Sequence, residues 1–181
     1  MTAITQAQIL TKFSVAAAAG DTTAGTAATS LGDQISTTAW AGGVINDLFD
    51  NVSGAENAAS TADYRCIFVT HSNTLNALEG AYLFLSAEVA GGASIAIAVD
   101  NLAASAVGAA VAQAATIASE TTPPTGVGAF VSPITIGTAL ALGNIPVGFC
   151  RAVWIRRTAA NTVAVNADGA TLVVGGDTGA L

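Results

Sequence analysis

The side chains able to do chemistry are few and dispersed. The single histidine, His71, falls in a polar run, His71-Ser72-Asn73-Thr74, that reads as a surface turn. No cysteine or second histidine lies near enough to join it by spacing in a zinc site or a nucleophile–base pair. The carboxylates Asp47, Asp50, Asp63, Asp100 and Asp168 stand singly in turns, where such groups accept hydrogen bonds from nearby backbone N–H. Asp47, Asp50 and Asn51 bunch hard oxygen ligands of the kind calcium takes, but without EF-hand spacing, so turn capping is the stronger reading. The many glycines form neither a Gly-x-Gly-x-x-Gly nor a Walker run at the start of a helix. These residues lead us to expect no catalytic, cofactor or metal site, and no enzyme.

Cys66 and Cys150 sit in the two strongest strand-like runs and could face each other across a sandwich. The reading preferred here is two reduced, buried, small apolar residues. Arg65, Arg151, Arg156 and Arg157 belong to the same two runs. Two compatible roles follow. Their stems cover sheet faces while the guanidinium groups pair with acids such as Asp63 or Glu56, or they contact another subunit, where Arg is enriched. Trp40 and Trp154 read as core or interface anchors, since neither has the polar surroundings of a sugar-stacking platform.

These residues need a scaffold, and its clearest segment is Asp63 to Val69. With a period of two, Tyr64, Cys66 and Phe68 fall on one face and Arg65, Ile67 and Val69 on the other. Cys150 to Thr158 has the same character, and the two runs are predicted to be inner strands of one sandwich. Ala81 to Ser86 predicts another strand. Ser94 to Val99 predicts one more, with Ile95, Ile97 and Val99 on one face and alanines on the other. Short strands separated by Gly, Asn and Asp clusters are the pattern of all-β sandwiches. Residues 102–118 fit a helix or a pair of small-residue strands, with a lean to strands because their flanks are β. Thr122 to Gly126 is a loop, and Thr162 to Val165 with Thr171 to Val174 reads as a last hairpin around Asn166 to Gly169. The predicted fold class is all-β. Residues 45–181 would form a β-sandwich of jelly-roll or Ig-like type, and residues 1–44 an extended N-terminal arm ordered by contact.

Composition narrows the partners. Of the 181 residues 52% are hydrophobic, much of that alanine, and only 6% are aromatic, so each core position removes little apolar area. Charged residues make up 9%, the net charge is −7, and Lys12 is the only lysine. That balance argues against nucleic acid, whose phosphates need clustered Lys and Arg, and against docking on anionic membrane. Mean hydropathy is +0.60, yet the uncharged stretch 102–119 is mostly alanine and too poor in large aliphatics to predict a membrane span. The polar start, Thr2-Ala3-Ile4-Thr5-Gln6, lacks the pattern of a signal peptide, which leads to an expectation of folding in a cytoplasm. A weakly charged, small-residue surface suits extensive protein contact.

Five motifs carry a resemblance. They are Leu48-Phe49-Asp50-Asn51-Val52-Ser53-Gly54-Ala55-Glu56, Asp63-Tyr64-Arg65-Cys66-Ile67-Phe68-Val69 and Glu120-Thr121-Thr122-Pro123-Pro124. The others are Ala139-Leu140-Ala141-Leu142-Gly143-Asn144-Ile145-Pro146 and Ala152-Val153-Trp154-Ile155-Arg156-Arg157-Thr158. Through them residues 31–177 resemble a recurring β-rich virion protein of tailed bacteriophages. One departure lies at Thr70-His71-Ser72-Asn73-Thr74, where that family often places an Asn directly after the first strand.

The resemblance implies a structural protein of the virion, made in the host cytoplasm. The expected role is head decoration or cement, with the major capsid protein as partner. The expected assembly is a homo-oligomer, a trimer or a dimer at two-fold positions. The alternative is a tail-associated or receptor-binding module that recognises host glycan or protein.

Overall fold

The structure, a computed structural model, describes residues 3–16, 20–165 and 167–179. It is nearly all β. In chain order the strands are β1 (Ile9–Val15), β2 (Gln34–Ala39), β3 (Ala62–His71), β4 (Leu78–Glu88) and β5 (Ser94–Val99). They continue as β6 (Ser105–Ala106), β7 (Leu140–Ile145), β8 (Phe149–Thr158) and β9 (Ala170–Thr178). A short helix, α1 (Gly54–Ala59), precedes β3. Ser53 caps it by accepting from the Glu56 N–H, and the Glu56 carboxylate accepts in return from the Ser53 N–H at 2.6 Å.

Two antiparallel sheets result, as an all-β sandwich requires. The larger runs β2-β1-β3-β8-β5, with β6 paired to one end of β8; the smaller runs β7-β4-β9. β3 and β8 are central neighbours in continuous register from Ala62↔Thr158 to Thr70↔Cys150. The predicted alternation holds on both. Ile67 and Val69 of β3 meet Val153 and Ile155 of β8, Ile97 of β5 and Leu78, Leu83, Ile145 and Val174 of the smaller sheet in the inter-sheet core. Tyr64, Cys66 and Phe68 point the other way and join Trp154, Cys150, Ala98 and Ile35 in a second apolar layer.

That second layer explains the alanine-rich middle of the chain. The far face of the larger sheet is roofed by irregular segments that contribute Leu31, Ala114, Ile117, Val127 and Phe130. Residues 102–118 form neither a helix nor a pair of strands; only Ser105 and Ala106 join the ladder. The roof is stitched to the turn before β2. The Gln113 and Ala114 N–H groups donate to the Asp33 carbonyl, and the Ile117 N–H to that of Leu31. Gly32, at φ 98°, passes so close that a Cβ there would lie 1.8 Å from the Ala115 carbonyl oxygen. A side chain at position 32 is excluded by sterics as well as by backbone conformation.

Within residues 1–44, expected as an extended arm ordered by contact, β1 and β2 are strands of the larger sheet, β1 pairing with both β2 and β3. Phe13, Val15 and Ile35 are buried in the two apolar layers or beside them. Alanine, threonine and serine around those few large residues conceal a strand pattern. The predicted C-terminal hairpin is absent among the described residues, since 161–165 is irregular and β9 pairs instead with β4. Asn166, at the tip of that hairpin, lies outside the described residues.

Candidate functional site

Asp63, Arg65 and Arg157 stand at one end of the inter-sheet face of the larger sheet, where four of the motifs meet. Asp63 of β3 and Arg157 of β8 are register partners. Arg157 donates from Nε and Nη2 to Asp63 Oδ2, at 3.1 and 2.6 Å. Nη2 also reaches Asp50 Oδ1 at 3.3 Å, and Nη1 donates to the Asp50 carbonyl. Two residues along β3, Arg65 donates from Nε to the Leu48 carbonyl at 3.2 Å and pairs through Nη2 with Glu120. The Phe49 ring lies against both guanidinium groups, 4.9 Å from that of Arg157 and 5.8 Å from that of Arg65.

Both arginine side chains are more than nine-tenths buried. Desolvating such charges costs several kcal/mol each unless their donors are matched, and the planar fork of Arg suits that matching. This cluster fastens the 48–50 loop to β3 and β8. The expected pairing of a strand arginine with Asp63 is found at Arg157, whereas Glu56 is engaged with Ser53 at the helix start. Its hydrogen bonds there, above all with the Ser53 backbone N–H, hold the Glu56 carboxyl below its ordinary range.

The other two arginines differ. Arg156 projects to the opposite face and lies 5.1 Å from the Phe130 ring centre. Arg151 is half-buried with Nε and Nη1 unpartnered. Burial lowers its pKa, and the Asp100 carboxylate partly opposes that effect.

Asp100 is fully buried at the end of β5. Its Oδ2 accepts from Trp154 Nε1 at 2.9 Å and from the Ala115 N–H at 2.7 Å, and its Oδ1 from the Leu102 N–H at 2.9 Å. Trp154 is therefore a core anchor with a satisfied indole. Gln113, which sequence reasoning passed over, is a second buried junction. Its carbonyl accepts from the Ile35 N–H, and its amide donates to Ser105 Oγ and the Ala106 carbonyl. A lone Gln in an alanine run was the available signal.

His71 is the last residue of β3 and buried, not part of a surface turn. The strand runs on because Ile9 pairs with it, and its Nε2 donates to the Ile145 carbonyl at 2.9 Å. The turn follows at Asn73, whose Oδ1 accepts from the Leu75 and Asn76 N–H groups. Cys66 and Cys150 are both free and buried. They do not face each other across the sandwich. Cys66 is opposite Trp154 and Cys150 opposite Thr70, so both sit on one face of one sheet, about 13 Å apart along it by strand rise. That is too far for a disulfide. Burial raises both thiol pKa values, that of Cys150 to about 12.

Among the described residues no group of three or more His, Cys, Asp and Glu side chains is placed to hold a metal. Asp50 is committed to Arg157, and Asp47 lines a cleft. That cleft, of about 1020 Å³, opens between β9 and the loop from Trp40 to Gly54, with Ile95, Ile155 and Arg157 at its inner wall. No described helix is long and apolar enough to cross a membrane.

A scan of protein-family models and searches of curated proteins and of solved structures find no match to this chain.

Proposed function

We propose that the protein is a virion structural protein of a tailed bacteriophage, a decoration or cement protein that bridges capsid subunits as a homo-oligomer. The observation carrying this reading is the surface. Large aliphatic side chains stand exposed on its loops, among them Val111 at 63%, Ile134 at 70% and Ile136 at 63%. A chain with 9% charged residues supplies few charges that would have to be desolvated beside them. Such a surface favours burial against other proteins.

Two further points support the reading. The motifs that carry the resemblance are structural here: Leu48 to Asp50, Asp63 to Arg65, Glu120 and Arg157 are joined in one ionic cluster around the two buried arginines. The alanine-rich core contributes little area per residue, so added interfaces would raise stability substantially. Bridging neighbouring shell subunits would oblige internal pressure to break these contacts as well.

Quantitative mass spectrometry of purified particles tests this. The expected result is a copy number comparable with that of the major capsid protein. A few copies per particle would overturn it.

A further inference from the structure

We propose that the cleft beside β9 binds an extended peptide segment of a partner protein, which adds to β9 as a further strand and carries basic side chains between apolar ones. The inference goes beyond the virion reading and does not depend on it.

The first observation is an unused edge. β9 pairs with β4 alone, and no other described strand runs along its far side. Backbone groups alternate in direction along an antiparallel strand. The Gly169 carbonyl accepts from the Val89 N–H on the β4 side, whereas the Val174 carbonyl points outward and accepts from Gln6 Nε2 at 3.3 Å. By that alternation Ala170 and Leu172 also turn their N–H and C=O outward, and both residues line the cleft. Residues 4–6 cover only the far end of the edge, at Val174 and Thr178.

The second observation concerns the opposite wall. Trp40 Nε1, a donor, and Asp47 Oδ2, an acceptor, are both buried at the cleft and have no partner. Buried polar atoms without partners are rare and call for an explanation. A peptide backbone offers one N–H and one C=O per residue and would satisfy both once the Trp40 and Asp47 side chains turn outward to meet it. Apolar side chains share the walls with polar ones, and Val44, Ile45 and Val163 stand at the rim with 71%, 72% and 88% of their surface exposed.

The third observation, charge, selects the occupant. Asp47, Asp50, Glu88 and Asp168 line the cleft against a single cation, Arg157, which is already held by Asp63 and Asp50. Complementarity favours Lys or Arg in the incoming segment. A second copy of this chain is a poor candidate, because it carries a net charge of −7 and only five basic residues. Strand addition draws affinity from main-chain hydrogen bonds and specificity from alternate side chains.

Isothermal titration of the full chain with synthetic peptides of about eight residues provides the test. One peptide alternates Val with Lys, a second alternates Val with Glu, and a third is the Lys peptide N-methylated at every second residue. The expected result is saturable binding of the Lys peptide, weakened at least tenfold by N-methylation, by the Glu exchange and by Val163→Lys. Ala170→Pro, which removes one outward N–H at a position where an edge strand tolerates proline, should weaken it similarly, with the fold checked by circular dichroism. The proposal is overturned if the Lys peptide does not bind, if N-methylation leaves its affinity unchanged, or if the Glu peptide binds equally well. It is also overturned if the chain self-associates through the cleft, seen as a dimer that Val163→Lys dissolves.

Discussion

Arg157 and Asp63 face each other as register partners on the two central strands, and two donors of the guanidinium converge on one carboxylate oxygen. The second oxygen, Asp63 Oδ1, is buried without a partner. The pair therefore retains part of its desolvation cost, and its evident structural effect is to hold the 48–50 loop.

Breaking the pair on one side is expected to be worse than replacing it whole. Asp63→Ala should cost about 3–5 kcal/mol, because it strands a buried cation. Replacing Asp63 with Leu and Arg157 with Met together should cost clearly less, although the 48–50 loop loses its anchor. Urea titration of the three proteins decides this, and a double variant as unstable as the single one would contradict it.

Trp154 and Asp100 form a second coupled pair. Trp154→Ala should cost about 3–5 kcal/mol as a large cavity opens in the outer apolar layer. Trp154→Phe fills most of that volume but removes one donor to a buried carboxylate, for about 1–3 kcal/mol. A near-neutral result for Trp154→Ala in thermal denaturation would contradict the burial described above.

The thiols make a pH prediction. Burial holds Cys66 and Cys150 above their ordinary pKa, with Cys150 near 12 against 9.0 for a free thiol. Below that free value both states keep the proton and there is no effect. As pH rises through it, the unfolded chain releases protons that the folded chain retains, so stability falls between about pH 9 and 12. Replacing both cysteines with Ala should remove that part of the decline. At pH 8, labelling by a thiol reagent should proceed no faster than unfolding.

Removal of residues 1–44 is expected to abolish folding. It uncovers one edge of β3 and takes away the buried side chains of Phe13, Val15 and Ile35. Circular dichroism and thermal melting of the truncated chain test this; a cooperative melt near that of the full chain would show that β1 and β2 are dispensable.

Legibility from sequence followed side-chain size. β3, β5 and β8 were readable because Ile, Val, Phe and Trp alternate in them, and a burial preference written in large residues has one period. Residues 102–118 were not, because alanine fits a helix, a strand or a roof equally well, and their role depends on what Phe68 and Trp154 leave uncovered. β1 and β2 were hidden by Thr and Ser, which strands accept but do not demand. Asp63 could be named as an arginine partner because both residues were in visible strands. The cleft was invisible, since it is a relation between β9 and a loop that begins at Trp40, far apart in the chain.

The central pairing also sets an order in time. β3 is buried on both faces and flanked by β1 and β8, yet β8 begins at Phe149, long after β3 ends at His71. At ordinary rates of synthesis that interval is on the order of ten seconds. Throughout it a nascent chain holds Tyr64 to Val69 with one edge unpaired and no roof, since Ala114, Ile117 and Phe130 also arrive later. The strand that organises the finished sandwich is thus the one most exposed to misassociation while the protein is being made.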